Sequence, residues 1–131
     1  MNGETQLQTL IRDMNPRLNS GKYVFCSIAN AEILADIEPI CTFREAEGIT
    51  VILTQSQAEA LSLSYSWVAG WITLTIHSAL NAVGLTAAIS QRLANAEISC
   101  NIVAAYYHDH LFVGIEDVDR AMDILISMAC K

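Results

Sequence analysis

The sequence predicts an α+β fold: an antiparallel sheet with helices packed on one face. Three features point to it. Stretches rich in β-branched residues recur along the chain, apolar residues at helical spacing lie between them, and one strand–turn–strand–helix pattern occurs in both halves.

The elements follow in order. Leu7, Leu10, Ile11 and Met14 stand at i, i+3, i+4 and i+7, which predicts a first helix that Asn15-Pro16 ends. Asn19-Ser20-Gly21 reads as a turn opening a strand over Tyr23–Ala29. Pro39–Arg44 and Ile49–Thr54 are expected strands, joined by a hairpin turn at Glu45-Ala46-Glu47-Gly48. Ser56 is then expected to cap a short helix carrying Ala58, Ala60 and Leu61, and Ala60–Ala69 leaves room for a closing strand.

The second half opens with Trp71–His77 (WITLTIH), an alternating strand. A loop over Ser78–Gly84 leads to a helix at Leu85–Ala96, whose inward positions are Leu85, Ala88, Ile89, Leu93 and Ala96. Ile98–Tyr107 and Leu111–Glu116 form a hairpin around His108–His110. Asp117 is the expected cap of a last helix with Val118, Ala121, Met122, Leu125 and Met128 inward.

FREAEGITVILTQSQAEAL matches AYYHDHLFVGIEDVDRAM in kind at an offset of 62 residues. The first strands match at 48 instead, and the missing 14 residues are about one helix with its turn. The chain therefore divides into a degenerate repeat with an N-terminal helix, residues 1–64, and a second repeat with its own first helix, residues 65–131. The N-terminal helix is expected to cover the sheet where the first repeat lacks its own.

Composition narrows the function. Hydrophobic residues make up 53% and charged residues 16%, more apolar surface than a monomer of this size readily hides, which favours a homodimer. The unpartnered sheet face presents either Trp71, Thr73 and Thr75 or Ile72, Leu74 and Ile76, and that face or a sheet edge is the expected route to pairing. Net charge is −7 with no Lys/Arg cluster, which argues against a nucleic-acid partner. No run reaches the about 18 apolar residues of a membrane span, and the polar start MNGETQLQTLIRD lacks the pattern of a secretory signal. Cys26, Cys41, Cys100 and Cys130 show no CxxC, so a reduced, cytoplasmic protein is expected.

Catalytic motifs are missing from the sequence: there is no GxSxG, no GxGxxG and no GxxxxGK[ST]. His108 and His110 alternate on a strand as a metal-chelating pair would, yet they sit where the chain must turn and no third ligand lies nearby. Neither an enzyme, a cofactor nor a metal is expected. Trp67, Trp71, Tyr106 and Tyr107 read as packing rather than as a stacking platform.

The βαββα order, the glycine turn Asn81-Ala82-Val83-Gly84-Leu85-Thr86 and the internal duplication resemble ACT domains, ferredoxin-like βαββαβ modules that sense amino acids. Stretches such as CTFREAEGITVIL, WITLTIHSALNAVGLTAAIS and AAYYHDHLFV are similar to small stand-alone tandem ACT proteins related to aspartate kinase regulatory regions. The resemblance covers nearly the whole chain after residue 20, and the short first repeat departs from it. It implies a non-enzymatic regulatory protein that binds a free amino acid at the interface of two ACT modules. The other reading is a ligand-free dimerisation or protein-interaction module.

A ligand carboxylate is well served by unpaired N–H groups at a helix N-terminus, where Gly84, Leu85 and Thr86 stand. Gly84 allows close approach, and Asn81 with the backbone of Ser78 and Val83 offers acceptors to the ammonium. Arg44 would suit an acidic ligand side chain and Glu45 a basic one. Gly84 and Asn81 also read as plain turn residues, and the Glu45 turn as a solvated hairpin tip.

Overall fold

The computed structural model describes residues 3–75 and 84–130. Ten regular elements are labelled in chain order: helices α1 (Gly3–Asp13), α2 (Gln55–Ala60), α3 (Leu85–Asn95) and α4 (Val118–Ala129), and strands β1 (Pro16–Ile28), β2 (Cys41–Glu45), β3 (Gly48–Thr54), β4 (Val68–Leu74), β5 (Cys100–Ala104) and β6 (Asp109–Gly114). Two compact units form. Residues 21–69 make the smaller one, and residues 1–20 with 70–131 make the larger, so the smaller unit is an insertion in the larger.

In the smaller unit the strand order is β2-β3-β1. Strand β3 pairs antiparallel with β1, from Tyr23↔Thr54 to Ile28↔Ile49, and with β2, from Cys41↔Ile52 to Glu45↔Gly48. Glu45, expected in the turn, is the last residue of β2, and the hairpin loop shrinks to Ala46-Glu47. Val24, Cys26, Ile28, Val51 and Leu53 alternate onto one face and bury against Leu34 and Ala58. Between β1 and β2 there is only one 3₁₀ turn, Ala31–Leu34, which agrees with the length deficit of the first repeat. Helix α2 is capped by Thr54, not Ser56: the Thr54 hydroxyl accepts from the Gln57 N–H at 3.1 Å, and the Gln57 side chain accepts from the Thr54 N–H at 3.0 Å. No strand occupies residues 61–67; the chain turns through Ser62, at φ 58°, and enters β4 at Val68.

The larger unit has the strand order β1-β4-β6-β5, with β5 and β6 antiparallel from Cys100↔Val113 to Ala104↔Asp109. The Ala105 N–H donates to the His108 carbonyl at 3.0 Å and tightens that hairpin. Ile72 and Leu74 of β4 and Leu111 and Val113 of β6 pack against Leu85, Ile89 and Leu93 of α3 and Val118, Ala121, Leu125 and Met128 of α4. That settles which set faces inward, and Trp71 and Thr73 take the opposite face. Gly70 lets β4 lie close beneath α4: a Cβ there would stand 2.3 Å from Cγ2 of Val118.

Three further expectations need correction. Helix α1 does not cover the first repeat; Leu7, Leu10, Ile11 and Met14 pack on the core of the larger unit, with α1 against α3 and α4. Periodicity shows that a helix has an apolar stripe but not which core it completes. Asn19-Ser20-Gly21 is not a turn but the middle of β1, held by Asn19, whose amide donates to the Trp71 carbonyl (3.2 Å) and the Thr73 hydroxyl (2.9 Å). Asp117 does not cap α4 with its side chain; a 3₁₀ turn over Ile115–Asp117 leads into the helix, and the carboxylate binds Arg120 at 2.9 Å. Arg120 also donates to the Ala96 carbonyl at 2.6 Å, tying α4 to the end of α3.

Candidate ligand-binding site

Gly84 opens α3 in the left-handed region, at φ 99° and ψ −21°, a conformation that costs an L-residue about 1–2 kcal/mol. Its carbonyl accepts the Ala88 N–H at 2.9 Å, so the helix starts cleanly, and as a glycine it has no side chain of its own to cap it. The first-turn N–H groups of Leu85 and Thr86 have no partner within the helix by construction. The helix dipole adds positive potential at the same place. Leu85 is buried and anchors this end of α3 in the core, while Thr86 is exposed. Leu7 of α1 lies alongside: a Cβ at Gly84 would be 3.3 Å from its Cδ2.

The other predicted positions fall elsewhere. Ser78, Asn81 and Val83, with His77, lie outside the described residues. Arg44 and Glu45 are adjacent, exposed residues of β2 in the smaller unit. The Glu45 carboxylate accepts from the Thr50 hydroxyl across the hairpin. Gly84, Leu85 and Thr86 are thus brought together as one helix start, and Arg44 with Glu45 as one strand end.

A second polar constellation escaped sequence reasoning. On the helix-free face of the larger unit, the Trp71 indole N–H donates to Nδ1 of His110 at 3.0 Å, and the Thr73 hydroxyl lies 3.2 Å from the same nitrogen. Trp71 also stacks on Phe112, with ring centroids 6.1 Å apart. Asn15 donates to the Thr75 hydroxyl at 2.8 Å near the end of β4. Burial pushes the His110 imidazole below its ordinary pKa, with His108 adding to that and Asp109 opposing it. Asp109, 8% exposed, is raised by burial against the pull of His110 and His108. The one sequence signal was alternation: Thr73 with Trp71, and His110 with Phe112, share a face at period two.

Among the described residues, no three His, Cys, Asp or Glu side chains come together as a metal site, and no helix is long and apolar enough to cross a membrane. The four cysteines are free thiols. A groove of about 400 Å³ runs between α1, α3 and α4, lined by Gln8, Ile11, Arg92 and Met128, and contains none of the predicted site residues.

Comparison with known proteins agrees with this architecture. The ACT domain family model matches twice, over residues 2–70 and 67–127. A crystal structure of a protein of unknown function from Vibrio cholerae, described as a possible transport protein, is 43% identical. That alignment covers 98% of this chain and 99% of that one, with a TM-score of 0.88. The ligand-free regulatory subunit of aspartate kinase from Thermus thermophilus shares the fold at 8% identity and a TM-score of 0.66, over 87% of this chain and 97% of that one. Aspartokinase III of E. coli, in complex with aspartate and ADP, does so at 14% identity and a TM-score of 0.65, over 88% of this chain and 33% of that one. No curated protein matches the chain. Two successive family matches, on a sheet with helices packed on one face, place the chain in the ACT domain family as a tandem ACT protein.

Proposed function

We propose that this protein is a non-enzymatic cytoplasmic regulator that binds a free amino acid at the start of α3 and acts as a homodimer, a second copy supplying the facing wall of the site. The observation that carries the reading is the left-handed Gly84 at the start of α3. The N–H groups of Leu85 and Thr86, at the positive end of the helix dipole, would then serve a carboxylate. Loop residues Ser78, Asn81 and Val83 would receive the ammonium, and Arg44 or Glu45 would select the side chain by charge. Occupancy would pass to a partner as a coupling of about 1–3 kcal/mol, the usual size for two linked sites.

A thermal-shift screen of the full chain against the common amino acids tests it. A ligand at 100 times its Kd stabilises the fold by about 2.7 kcal/mol. For a domain of this size that is a rise of roughly ten degrees. Gly84→Val should abolish the rise while the circular dichroism spectrum stays that of a folded α+β protein. An undiminished rise in that variant refutes the placement. Silence across the set, with a dimer by sedimentation, supports the ligand-free interaction module instead.

A further inference from the structure

The Trp71–His110–Thr73 node is a different matter from the ligand site, and its chemistry is constrained by one donor. An indole N–H can only donate, so the nitrogen it meets at 3.0 Å, Nδ1 of His110, carries no proton. His110 is therefore neutral with its proton on Nε2. The Thr73 hydroxyl is held from the other side by Asn19, whose amide donates to it at 2.9 Å and to the Trp71 carbonyl at 3.2 Å. The node joins β4 to β6 through Trp71 and His110, and to β1 through Asn19.

Adding a proton to Nδ1 sets two donors head to head at hydrogen-bond distance. The Trp71 bond is lost, and the Thr73 oxygen, 3.2 Å from the same nitrogen, stands ready to accept from the new N–H. We propose that His110 is a pH-operated switch between two bonding states of this face: neutral and accepting from Trp71, or protonated and donating to Thr73. Proton uptake breaks the bond from the Trp71 indole N–H to Nδ1 and with it a cross-strand link from β4 to β6. The groups that bear on the ring are few among the described residues. His108 and Asp109 flank it in sequence and are the titratable ones; β4 presents Trp71 and Thr73, β5 places Val103 opposite, and β1 contributes Asn19, none of them charged. Burial favours the neutral state, so the switch operates below the ordinary histidine range.

The test is nuclear magnetic resonance of the ¹⁵N-labelled full chain from pH 8 to pH 5, with Trp67→Phe used to assign the two indole signals. At pH 8 the His110 ring should show the Nε2–H tautomer, and an Nδ1–H tautomer overturns the proposal without any variant of the node. On acidification the Trp71 indole signal should move with the His110 ring, at one midpoint below 6.5. His110→Asn places an amide oxygen near the position of Nδ1 and does not titrate, so it should hold the Trp71 signal fixed across the range. A Trp71 signal that stays still while the wild-type ring titrates overturns the proposal, as does an equal shift in His110→Asn.

Discussion

Replacing Gly70 by alanine probes the contact between β4 and α4. The added methyl would stand 2.3 Å from Cγ2 of Val118, 3.6 Å from its Cβ and 3.7 Å from Cδ1 of Ile115, so it meets a packed surface. Val118 cannot swing away easily, because a β-branched side chain on a helix has one strongly preferred rotamer. Overpacking of this kind costs about 1–3 kcal/mol. With about 4 °C of Tm per kcal/mol in a chain of this length, Gly70→Ala should lower Tm by roughly 4–12 °C. Val118→Ala alone removes two methyls from a buried site and should cost about 1–2.5 kcal/mol. The double variant is the decisive member of the cycle. Its new methyl fills the space the valine vacated, so it should be more stable than the sum of the single losses by at least 1 kcal/mol. Thermal unfolding of the four proteins reads this directly. Strict additivity, or a Gly70→Ala protein as stable as the parent, would refute the close approach.

Other outcomes follow from the same structure. Because the folded state holds His110 below its ordinary pKa, the unfolded chain binds more protons as pH drops below about 6.5, and Tm should fall with it. Asp109, raised in the folded state, works in the opposite sense above 3.8 and offsets part of that loss at lower pH; a pH series of Tm should be flatter in His110→Asn. Thr54→Ala breaks the capping box and should cost about 0.5–2 kcal/mol, whereas Ser56→Ala should be close to neutral by denaturant titration. Burial lifts the Cys100 thiol to about 11 and raises that of Cys26, so iodoacetamide at pH 8 should label exposed Cys130 well before either, as peptide mass mapping would show.

Much of the fold was legible because its signals are local. The strand–turn–strand–helix pattern repeats at 62 residues, and each hairpin pairs residues close in sequence, such as Glu45 with Gly48 and Ala104 with Asp109. What escaped depends on distant partners. Asn19-Ser20-Gly21 carries turn residues, and Gly21 does take a positive φ of 104°, yet bonds from Asn19 to residues 52 and 54 positions away keep the segment in a strand. Asp117 has the right chemistry for a cap, but a preceding 3₁₀ turn and Arg120 claim its carboxylate. At the candidate site, a glycine before an apolar helix identified Gly84, since few residues tolerate that backbone. The Trp71–His110 pairing, 39 residues apart, has no local signature beyond the period-two alternation of each strand.

The insertion of residues 21–69 within a unit built from residues 1–20 and 70–131 has a consequence for biosynthesis. Residues 1–20 leave the ribosome before the inserted unit yet meet their partners only after it. The inserted unit has all its strands once residue 69 has emerged. Helix α1, and Met14 just after it, which ends fully buried, must wait for residues 70–131, whose synthesis takes about 3–12 s at ordinary elongation rates. During that interval its apolar stripe is open to chaperones, or to the same stripe on a neighbouring nascent chain. Translation speed beyond residue 69 is therefore a variable that the yield of native protein should feel, independently of its final stability.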